Sequence, residues 1–458
     1  MNHSFDAIVV GAGQAGPSLA TRLAGAGWKV AMVERHLFGG TCVNNGCTPT
    51  KAMVASAHAA HLARRGADFG VTAGPVSVDL HAVKARKDKI VANSHNSVEK
   101  WVRTTKNCTV FTGTAAFESP TAMRVGDDRL EAPKIFLNVG ARPTTPKMPG
   151  VDSVPFVTST TILDLEELPE HLIVIGAGYV GLEFAQMFRR FGSQVTVVDK
   201  SDRLAPHEDE DASKVIREVF DSEGIAVRIN ANCIHLERGG SNVAVGLECS
   251  EGAPRIAGTH ILLAVGRTPN TGDLNLPAAG IAPDSHGFIP VDDQLQTRVP
   301  GIFAIGDCNG RGAFTHTSYN DYEIVADNLL DRASRRVSDR IPAHALYIDP
   351  PLARIGMSET EVRTAGKPAL VGFRAMTRVS RAIEKGETFG YIKVLVDKES
   401  QQILGATVFG TGGDEAIHCI LTAMYARQPA SLLTHSVHIH PTVAELIPTT
   451  FEDLKPLQ

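Results

Sequence analysis

The hydrophobic pattern repeats one structural unit twice along the chain. An apolar run at residues 5–10 precedes a glycine turn, apolar positions at helical spacing, and a second apolar run at 30–34. The stretch "LIVIGAGYVGLEFAQMFRRFGSQVTVVD", residues 172–199, has the same order. Short apolar runs that flank a segment of helical period predict strand, helix and strand. The sequence therefore predicts two βαβ units, each with a nucleotide site.

The remaining pattern predicts further elements around these units. Residues 52–104 are polar and partly amphipathic, which predicts helix. Short strands are predicted in "VFTGTAAFE", "MRVG" and "KIFLNVGARP", and "HILLAVGRTPN" at 260–270 is similar to the last of these. After residue 340, strands alternate in "ARIGM", "GYIKVLVD" and "QILGATVFG" before a helix at about 413–427.

These patterns predict an α/β fold with two Rossmann-like dinucleotide-binding domains and a C-terminal α+β domain. The predicted divisions are a first nucleotide domain at 1–150, a second at 151–270, a segment at 271–340 that returns to complete the first domain, and the α+β domain at 341–458.

Composition narrows the class of protein. A chain of 458 residues predicts several domains, and the absence of an apolar run near 18 residues excludes a membrane span. The N-terminus lacks the pattern of a signal peptide, so a cytoplasmic location is expected. A net charge of -5 argues against nucleic-acid binding.

Two glycine motifs carry the nucleotide prediction. In Gly11-x-Gly13-x-x-Gly16 the glycines allow a tight turn, approach to a pyrophosphate, and close packing of helix on strand. Glu34, at the end of the next strand, is placed to bind a ribose. The second motif repeats this arrangement with Gly176, Gly178, Gly181 and Asp199.

Asp199 bears on the choice of coenzyme. A carboxylate at this position repels a 2′-phosphate, which favours NAD(H) over NADP(H). Lys200 and Arg203 follow closely and could host a phosphate instead.

The segment "GGTCVNNGCTPTK" contains Cys42 and Cys47. The pair is consistent with a redox-active disulfide, a structural disulfide or half of a zinc site, and a cytoplasmic chain favours the first. Gly46 permits the bend between them, and Pro49 suits the first turn of a helix whose N-terminus would lower the pKa of Cys47. The other five cysteines are predicted to be buried small residues: Cys108, Cys233, Cys249, Cys308 and Cys419.

The tail "HIHPTVAE" supplies a candidate acid–base group. Pro441 predicts a helix start directly after His440, and Glu445 would orient its imidazole. A metal site formed by His435, His438 and His440 is the alternative, but we predict no metal site.

Five segments together resemble one known family: "GGTCVNNGCTPTK", "GAGYVGLEFA", "VGRTPN", "GIFAIGD" and "HIHPTVAE". They are similar to the flavin-dependent pyridine nucleotide-disulfide oxidoreductases, which include dihydrolipoamide dehydrogenase, glutathione reductase and mercuric reductase. The resemblance implies FAD in the first site, NADH or NADPH in the second with NADH slightly favoured, and a homodimer.

The resemblance also implies residue roles. Cys47 would be the thiolate beside the flavin and Cys42 the sulfur that attacks substrate. Lys51 and Glu183 would form an ion pair beside the flavin. The remaining implied contacts are Thr41, Lys51, Gly140 and Asp307 to FAD, Tyr179 as a gate of the nicotinamide pocket, Gly266 to NAD(P), and His440 reaching the disulfide of the other subunit.

The implied activity is NAD(P)H-dependent reduction of a small disulfide or a related thiophilic oxidant. Mercuric reductase and dihydrolipoamide dehydrogenase activities are alternatives, as is a flavin diaphorase or quinone reductase with a redox-sensing disulfide. Well-known mercuric reductases carry a vicinal cysteine pair near the C-terminus, whereas the last cysteine here is Cys419. Asn45 and Thr48 argue mildly against the dihydrolipoamide branch.

Overall fold

The computed structural model describes residues 1–239, 242–248 and 252–457. The strands, in chain order, are β1 (Asn2–Ser4), β2 (Ala7–Val10), β3 (Val30–Glu34), β4 (Cys108–Thr112), β5 (Ala115–Ser119), β6 (Ala122–Val125), β7 (Asp128–Glu131), β8 (Lys134–Leu137), β9 (Ala141–Pro143), β10 (Val157–Thr158), β11 (His171–Ile175), β12 (Gln194–Val198), β13 (Ala226–Arg228), β14 (Asn232–Gly239), β15 (Asn242–Glu248), β16 (Arg255–Gly258), β17 (His260–Leu263), β18 (Arg267–Pro269), β19 (Ile302–Ala304), β20 (Ala343–Leu346), β21 (Leu352–Gly356), β22 (Ala369–Ala375), β23 (Tyr391–Asp397), β24 (Ile403–Phe409) and β25 (Lys455–Pro456).

The α-helices of the described residues are α1 (Gly16–Gly25), α2 (Gly40–Asn45), α3 (Cys47–Arg64), α4 (Leu80–Thr104), α5 (Tyr179–Phe191), α6 (Glu210–Ser222), α7 (Thr315–Leu330), α8 (Glu359–Thr364), α9 (Ser380–Glu384), α10 (Gly413–Tyr425), α11 (Ser431–Thr434) and α12 (Leu446–Glu452). Within these described ranges, no helix is both long and apolar enough to cross a lipid bilayer.

The first βαβ unit lies in a parallel five-stranded sheet of order β19-β8-β2-β3-β4. All four residues of β2 are buried, as expected for a parallel strand covered on both faces. The edge strand β19 comes from the segment predicted to return to this domain. Its pairing with β8 supports that prediction, while the domain boundaries remain predictions.

The helical region after the first unit is not continuous. The prediction of one helical stretch at 52–104 is wrong in this respect, because α3 ends at Arg64 and α4 begins at Leu80. Gly66, Gly70, Gly74 and Pro75 interrupt helical periodicity between them. The Asp79 side chain then caps α4 by accepting a hydrogen bond from the Ala82 amide.

The second βαβ unit forms another parallel sheet, of order β10-β17-β11-β12-β13. A three-stranded antiparallel sheet, β14-β15-β16, packs beside it through a shared apolar core. Helix α5 is buried on nearly all sides, with Leu182, Phe184 and Phe188 among its buried apolar residues. The two units therefore repeat one architecture, as the sequence predicts.

The two similar segments at 134–143 and 260–270 meet each other in the fold. Strand β9 pairs with β18 in antiparallel register, with Ala141 opposite Pro269 and Pro143 opposite Arg267. The chain thus leaves the first unit and re-enters it through one two-stranded ribbon.

The C-terminal region forms a six-stranded antiparallel sheet of order β20-β21-β24-β23-β22-β25. Helices α10 and α12 cover it, with Ile420 and Phe451 in its apolar core. This is the predicted α+β domain.

An ionic joint connects the three regions at Asp349, in the loop between β20 and β21. Its carboxylate lies 2.7 Å from the His58 ring on α3 and 2.6 Å from the Arg190 guanidinium on α5. Gln186 donates to the Asp349 carbonyl and accepts from its amide. The joint fixes α3 against α5, and these two helices carry much of the candidate site.

Candidate active site

Close backbone contacts require glycine at the first and third positions of each turn. Gly11 has φ +99°, and a Cβ there would lie 2.3 Å from the Asn138 carbonyl oxygen. A Cβ on Gly16 would lie 2.0 Å from the Gly11 carbonyl oxygen. In the second turn, Gly176 and Gly181 meet backbone carbonyl oxygens at 2.4 and 2.0 Å. Both turns are thus built by the same two contacts.

The middle glycines differ. A Cβ on Gly178 would meet nothing within 4 Å, so the backbone is open to a ligand there. A Cβ on Gly13 would lie 2.9 Å from the Asn138 side-chain oxygen. Asn138 is buried, accepts from the Gly16 amide at 3.0 Å and donates to the Ile305 carbonyl at 3.0 Å. Sequence analysis missed this residue, because nothing in its own segment indicates such a role.

The acidic residues at the strand ends hold the glycine turns. Glu34 accepts from the Ala12 amide at 2.6 Å, and Asp199 accepts from the Ala177 amide at 2.7 Å. The other oxygen of each carboxylate accepts from the amide two residues further along. Each carboxylate is therefore fixed at the position from which a ribose is usually bound.

A sharp bend brings the two active-site cysteines together. Cys42 lies on α2, and Cys47 is the first residue of α3. Gly46, between the helices, has φ −135° and ψ −116°, and a Cβ there would lie 2.7 Å from the Thr41 carbonyl oxygen. Pro49 lies in the first turn of α3, as predicted.

The cysteine pair shares one proton unequally. A hydrogen bond from Cys42 is the largest influence on Cys47 and, against burial, lowers the pKa of Cys47 to about 6. The Thr315 hydroxyl, 3.4 Å from the Cys47 sulfur, and the charge of Lys51 lower this pKa further. The same hydrogen bond and burial raise the pKa of Cys42. In this dithiol the negative charge thus lies on Cys47.

The predicted ion pair is formed between α3 and α5. Lys51 Nζ lies 2.7 Å from Glu183 Oε2, and the Glu183 side chain is buried. Glu183 Oε1 accepts from the Tyr347 amide at 3.0 Å, and Lys51 Nζ lies 4.7 Å from the Tyr347 ring centre. Tyr347, which sequence analysis missed, therefore orients both members of the pair.

One cavity of about 930 Å³ joins most of the predicted residues. The predicted residues that line it are Gly11, Gly13, Glu34, Thr41, Cys42, Cys47, Lys51, Gly140, Tyr179, Glu183 and Asp307. Burial raises the pKa of Asp307, and the nearby Arg267 opposes this shift. The cavity thus connects the first glycine turn with the cysteine pair. Its volume lies within the range typical of ligand sites in proteins.

Other predicted residues lie outside that cavity lining: Gly16, Gly176, Gly178, Gly181, Asp199, Gly266, His440 and Glu445. Gly16 packs against the Gly11 carbonyl, and its amide donates to the Asn138 side chain. The second glycine turn adjoins the cavity through Tyr179, the first residue of α5.

The tail histidine is paired as predicted but exposed. His440 Nδ1 lies 2.8 Å from Glu445 Oε2, and 74% of the His440 side chain is accessible. The predicted helix start at Pro441 is wrong, because α12 begins at Leu446. Residues 441–445 instead form a turn in which the Glu445 amide donates to the Thr442 hydroxyl.

Comparison with known proteins then identifies the family. Residues 5–321 match the family model for pyridine nucleotide-disulphide oxidoreductases, and residues 342–451 match the dimerisation domain of the same family. The chain belongs to this family. The second match supports a homodimer.

Relatives align over nearly the whole chain. The probable pyridine nucleotide-disulfide oxidoreductase RclA of Escherichia coli is 34% identical over 99% of this chain and 100% of its own length. A mercuric reductase of Streptomyces lividans is 32% identical over 97% of this chain and 94% of its own length. A dihydrolipoyl dehydrogenase of Chlamydia muridarum is 31% identical over 97% of this chain and 96% of its own length.

A solved structure supports the same assignment. The HOCl-induced flavoprotein disulfide reductase RclA from E. coli superposes with a TM-score of 0.88 at 33% identity, over 98% of this chain and 99% of that one. The chain is therefore a flavoprotein disulfide reductase that uses FAD and a nicotinamide coenzyme.

The cavity fits FAD. The side-chain oxygens of Asn44 and Asn45 are buried without a hydrogen-bond partner, and both residues line the cavity. Buried polar atoms of this kind normally have partners, which a polar cofactor would supply. Gly140 also lines the cavity, with φ +65° and open space around its Cβ position.

The remaining cysteines differ from prediction in part. Cys308 is fully buried, as predicted, and burial raises its pKa to about 12. The prediction for Cys233 is wrong, because Cys233 is exposed. Cys108 and Cys419 are half-buried, and Cys249 lies outside the described residues. Among the described residues, no group of three His, Cys, Asp or Glu could hold a metal ion, His435, His438 and His440 included.

Proposed function

We propose that electrons pass from NAD(P)H through FAD to a Cys42–Cys47 disulfide and then to a small disulfide substrate. The observation that carries this proposal is the asymmetric thiol pair at the bend between α2 and α3, which lines one cavity with the Lys51–Glu183 ion pair. FAD, when bound, accepts a hydride from the nicotinamide and supplies the electron pair that reduces the disulfide.

The residue roles follow from the chemistry of the pair. Cys42 attacks one sulfur of the substrate RSSR, forms a mixed disulfide and releases RS⁻, which takes up a proton. Cys47 then attacks the Cys42 sulfur, restores the Cys42–Cys47 disulfide and releases the second thiol. The net reaction is RSSR + NAD(P)H + H⁺ → 2 RSH + NAD(P)⁺.

An external base is required for the first step. Because its pKa is raised, Cys42 holds a proton in the dithiol and must lose it before attack. His440, oriented by Glu445, is suited to take this proton and to deliver it to the leaving thiol.

We propose that His440 acts on the other subunit of a homodimer. Val437 and Ile439, beside it in sequence, are apolar and almost fully exposed in the single chain. Burial of these side chains against a second subunit would remove apolar surface from water and bring the histidine to the partner cavity.

We propose NADH as the preferred coenzyme. The Asp199 carboxylate is fixed at its strand end by two backbone amides. A ribose hydroxyl can donate to it, whereas a 2′-phosphate would be repelled. A cytoplasmic location, which the sequence predicts, remains a prediction.

A second candidate oxidant is Cu(II), because solved structures of the E. coli relative are described as Cu(II) complexes. Two Cu(II) ions would take the two electrons of the dithiol and leave two Cu(I), the disulfide and two protons.

The proposal is tested by NADH and NADPH oxidation with small disulfides, lipoamide, Cu(II), Hg(II) in excess thiol, and quinones. We expect turnover with a small disulfide that Cys42→Ser abolishes. Turnover with quinones alone, unchanged in Cys42→Ser, would instead establish the diaphorase. Sustained Hg(II)-dependent turnover above that with every disulfide would establish mercuric reductase activity.

A further inference from the structure

Four elements meet at one buried carboxylate beside the cavity. Glu208 lies just before α6, and its side chain is 1% exposed. Its neighbours are Tyr179 at the start of α5, His344 on β20 and Arg354 on β21. The second nucleotide unit and the C-terminal domain therefore share this group.

Both oxygens of Glu208 are occupied. Oε1 accepts from the Tyr179 hydroxyl and from His344 Nε2, the latter at 3.0 Å, while Arg354 Nε lies 2.9 Å from Oε2. Burial opposes ionisation, but the contacts of His344 and Arg354 hold the pKa of Glu208 below its ordinary value. The carboxylate is thus charged at neutral pH and accepts a charge-assisted hydrogen bond from the phenol.

The Tyr179 ring adjoins both predicted cofactor sites. Tyr179 directly follows Gly178, the open position of the second glycine turn, and it lines the cavity with Lys51 and Glu183. Its ring centre lies 5.5 Å from that of His344 and 6.5 Å from that of Phe314. A nicotinamide that extends from the second turn towards the Lys51–Glu183 pair would meet this ring.

We propose that Glu208 is a latch for Tyr179: its hydrogen bond to the hydroxyl holds the ring at the cavity, and nicotinamide entry requires this bond to break. The inference rests on the proposed function, because it takes the second glycine turn as the coenzyme site. When the hydroxyl leaves, Glu208 keeps His344 and Arg354 as partners, so no unpaired charge is left behind. Displacement of the ring therefore costs one hydrogen bond, and this cost lowers the affinity for the coenzyme.

The latch is tested by NAD⁺ binding to the oxidised holoenzyme, measured by calorimetry without turnover. Tyr179→Phe keeps the ring and removes the hydroxyl, whereas Glu208→Gln keeps the shape and removes the charge. We expect each variant to lower the dissociation constant by about three- to tenfold, because a charge-assisted hydrogen bond no longer opposes entry. The double variant should gain no more than either single variant, since both remove the same bond. The KM for NADH should fall in parallel with the dissociation constant.

A matched control is Glu361→Gln, because Glu361 Oε2 lies 3.4 Å from the same Arg354 but Glu361 is largely exposed. The dissociation constant of the Glu361→Gln variant for NAD⁺ should equal that of the parent. Unchanged or higher dissociation constants in Tyr179→Phe, or additive effects in the double variant, would overturn the latch. Tyr179→Phe decides the matter if Glu208→Gln does not fold, because it leaves the buried charges in place. If the parent itself binds neither NAD⁺ nor NADP⁺, the coenzyme site fails and the latch with it.

Discussion

At the scale of single residues, the position of one proton organises the thiol chemistry. Cys42 donates to Cys47, so the thiolate forms on the sulfur that also contacts Thr315 and benefits from the charge of Lys51. In the proposed mechanism this thiolate lies beside the flavin, where it can form a charge-transfer complex, whereas Cys42 is protonated and needs a base before it can attack. The opposite pKa shifts of the two cysteines thus support the roles proposed for them.

We predict a long-wavelength absorbance band in the two-electron-reduced enzyme that disappears as the pH falls through about 6. The pKa of Cys47 is lowered to about 6, so its thiolate is present above that pH and protonated below it. Spectrophotometric titration under anaerobic conditions measures the transition. Cys47→Ser should lack the band, and Cys42→Ser should show it without reductant. A band that survives in Cys47→Ser would contradict the assignment.

A second prediction concerns Asp199. Asp199→Asn keeps a side-chain acceptor for the turn but removes the charge that repels a 2′-phosphate. We expect the ratio of kcat/KM for NADH to that for NADPH to fall about tenfold. Asp202→Asn, an exposed neighbour, is the control and should leave the ratio unchanged. A parent enzyme that already prefers NADPH would show that Lys200 and Arg203 outweigh the carboxylate.

Sequence patterns reveal residues whose role is local and miss those whose role is tertiary. Gly11, Gly16 and Glu34 were predictable because a tight turn and its strand end impose fixed spacing. Asn138 and Tyr347 act on residues more than 100 positions away, so nothing in their own segments indicates those contacts.

At the scale of elements, α3 connects the chemistry to the domain joint. The helix begins at Cys47, carries Lys51 in its second turn, and contacts Asp349 through His58. The contact with Asp349 raises the pKa of His58, while His58 and Arg190 overcome burial and lower the pKa of Asp349. The His58 contribution to stability is complete below about pH 6.5 and is lost as the pH rises through the raised pKa.

We therefore predict that His58→Gln lowers the melting temperature more at pH 5.5 than at pH 8.5. The expected difference is small, at most about 2 °C, because His58 is partly exposed to solvent. Thermal denaturation of the holoenzyme at both pH values measures it. His81→Gln, an exposed histidine on α4, is the control. An equal loss at both pH values would show that His58 contributes packing rather than charge.

Helices and strands were predicted correctly where burial imposes a regular hydrophobic period. The predictions failed where strand pairing or helix-breaking residues determine the structure. Strands β2 and β11, at the centres of the two parallel sheets, follow from continuous apolar runs. Strand β1 has the sequence "NHS" and exists through its pairing with β7, so the pattern does not reveal it. The turn after Pro441 likewise depends on Thr442 and Glu445 rather than on helix propensity.

At the scale of the whole molecule, the active site is proposed to be complete only in a dimer. His440→Ala and Cys42→Ser homodimers should each lack disulfide reductase activity. Unfolding and refolding of an equimolar mixture should restore about a quarter of parental activity, since half the molecules become heterodimers with one intact site each. Activity of the refolded mixture against separately refolded homodimers measures this. The absence of any recovery would place His440 in the site of its own chain.

A control for that experiment distinguishes loss of the dimer from loss of the flavin-dependent reaction itself. Ile439→Asp places a charge on the exposed apolar segment beside His440. We expect dissociation in analytical ultracentrifugation and loss of disulfide reduction, while reduction of a quinone by NADH continues. Retention of a dimer with full disulfide turnover would contradict the proposed interface.

The β9–β18 ribbon has a consequence for the history of the chain. Its two strands pair as a hairpin would, with Pro143 opposite Arg267, yet the loop between them is a complete nucleotide-binding unit. That unit repeats individual contacts of the first one. Gly176, like Gly11, lies close to a backbone carbonyl, and Asp199, like Glu34, accepts a hydrogen bond from a backbone amide of the glycine turn. A duplicated gene segment inserted into a surface turn of its own parent would produce this path. Replacement of residues 144–266 by a two-residue Asn-Gly turn is therefore expected to join β9 directly to β18 as a hairpin.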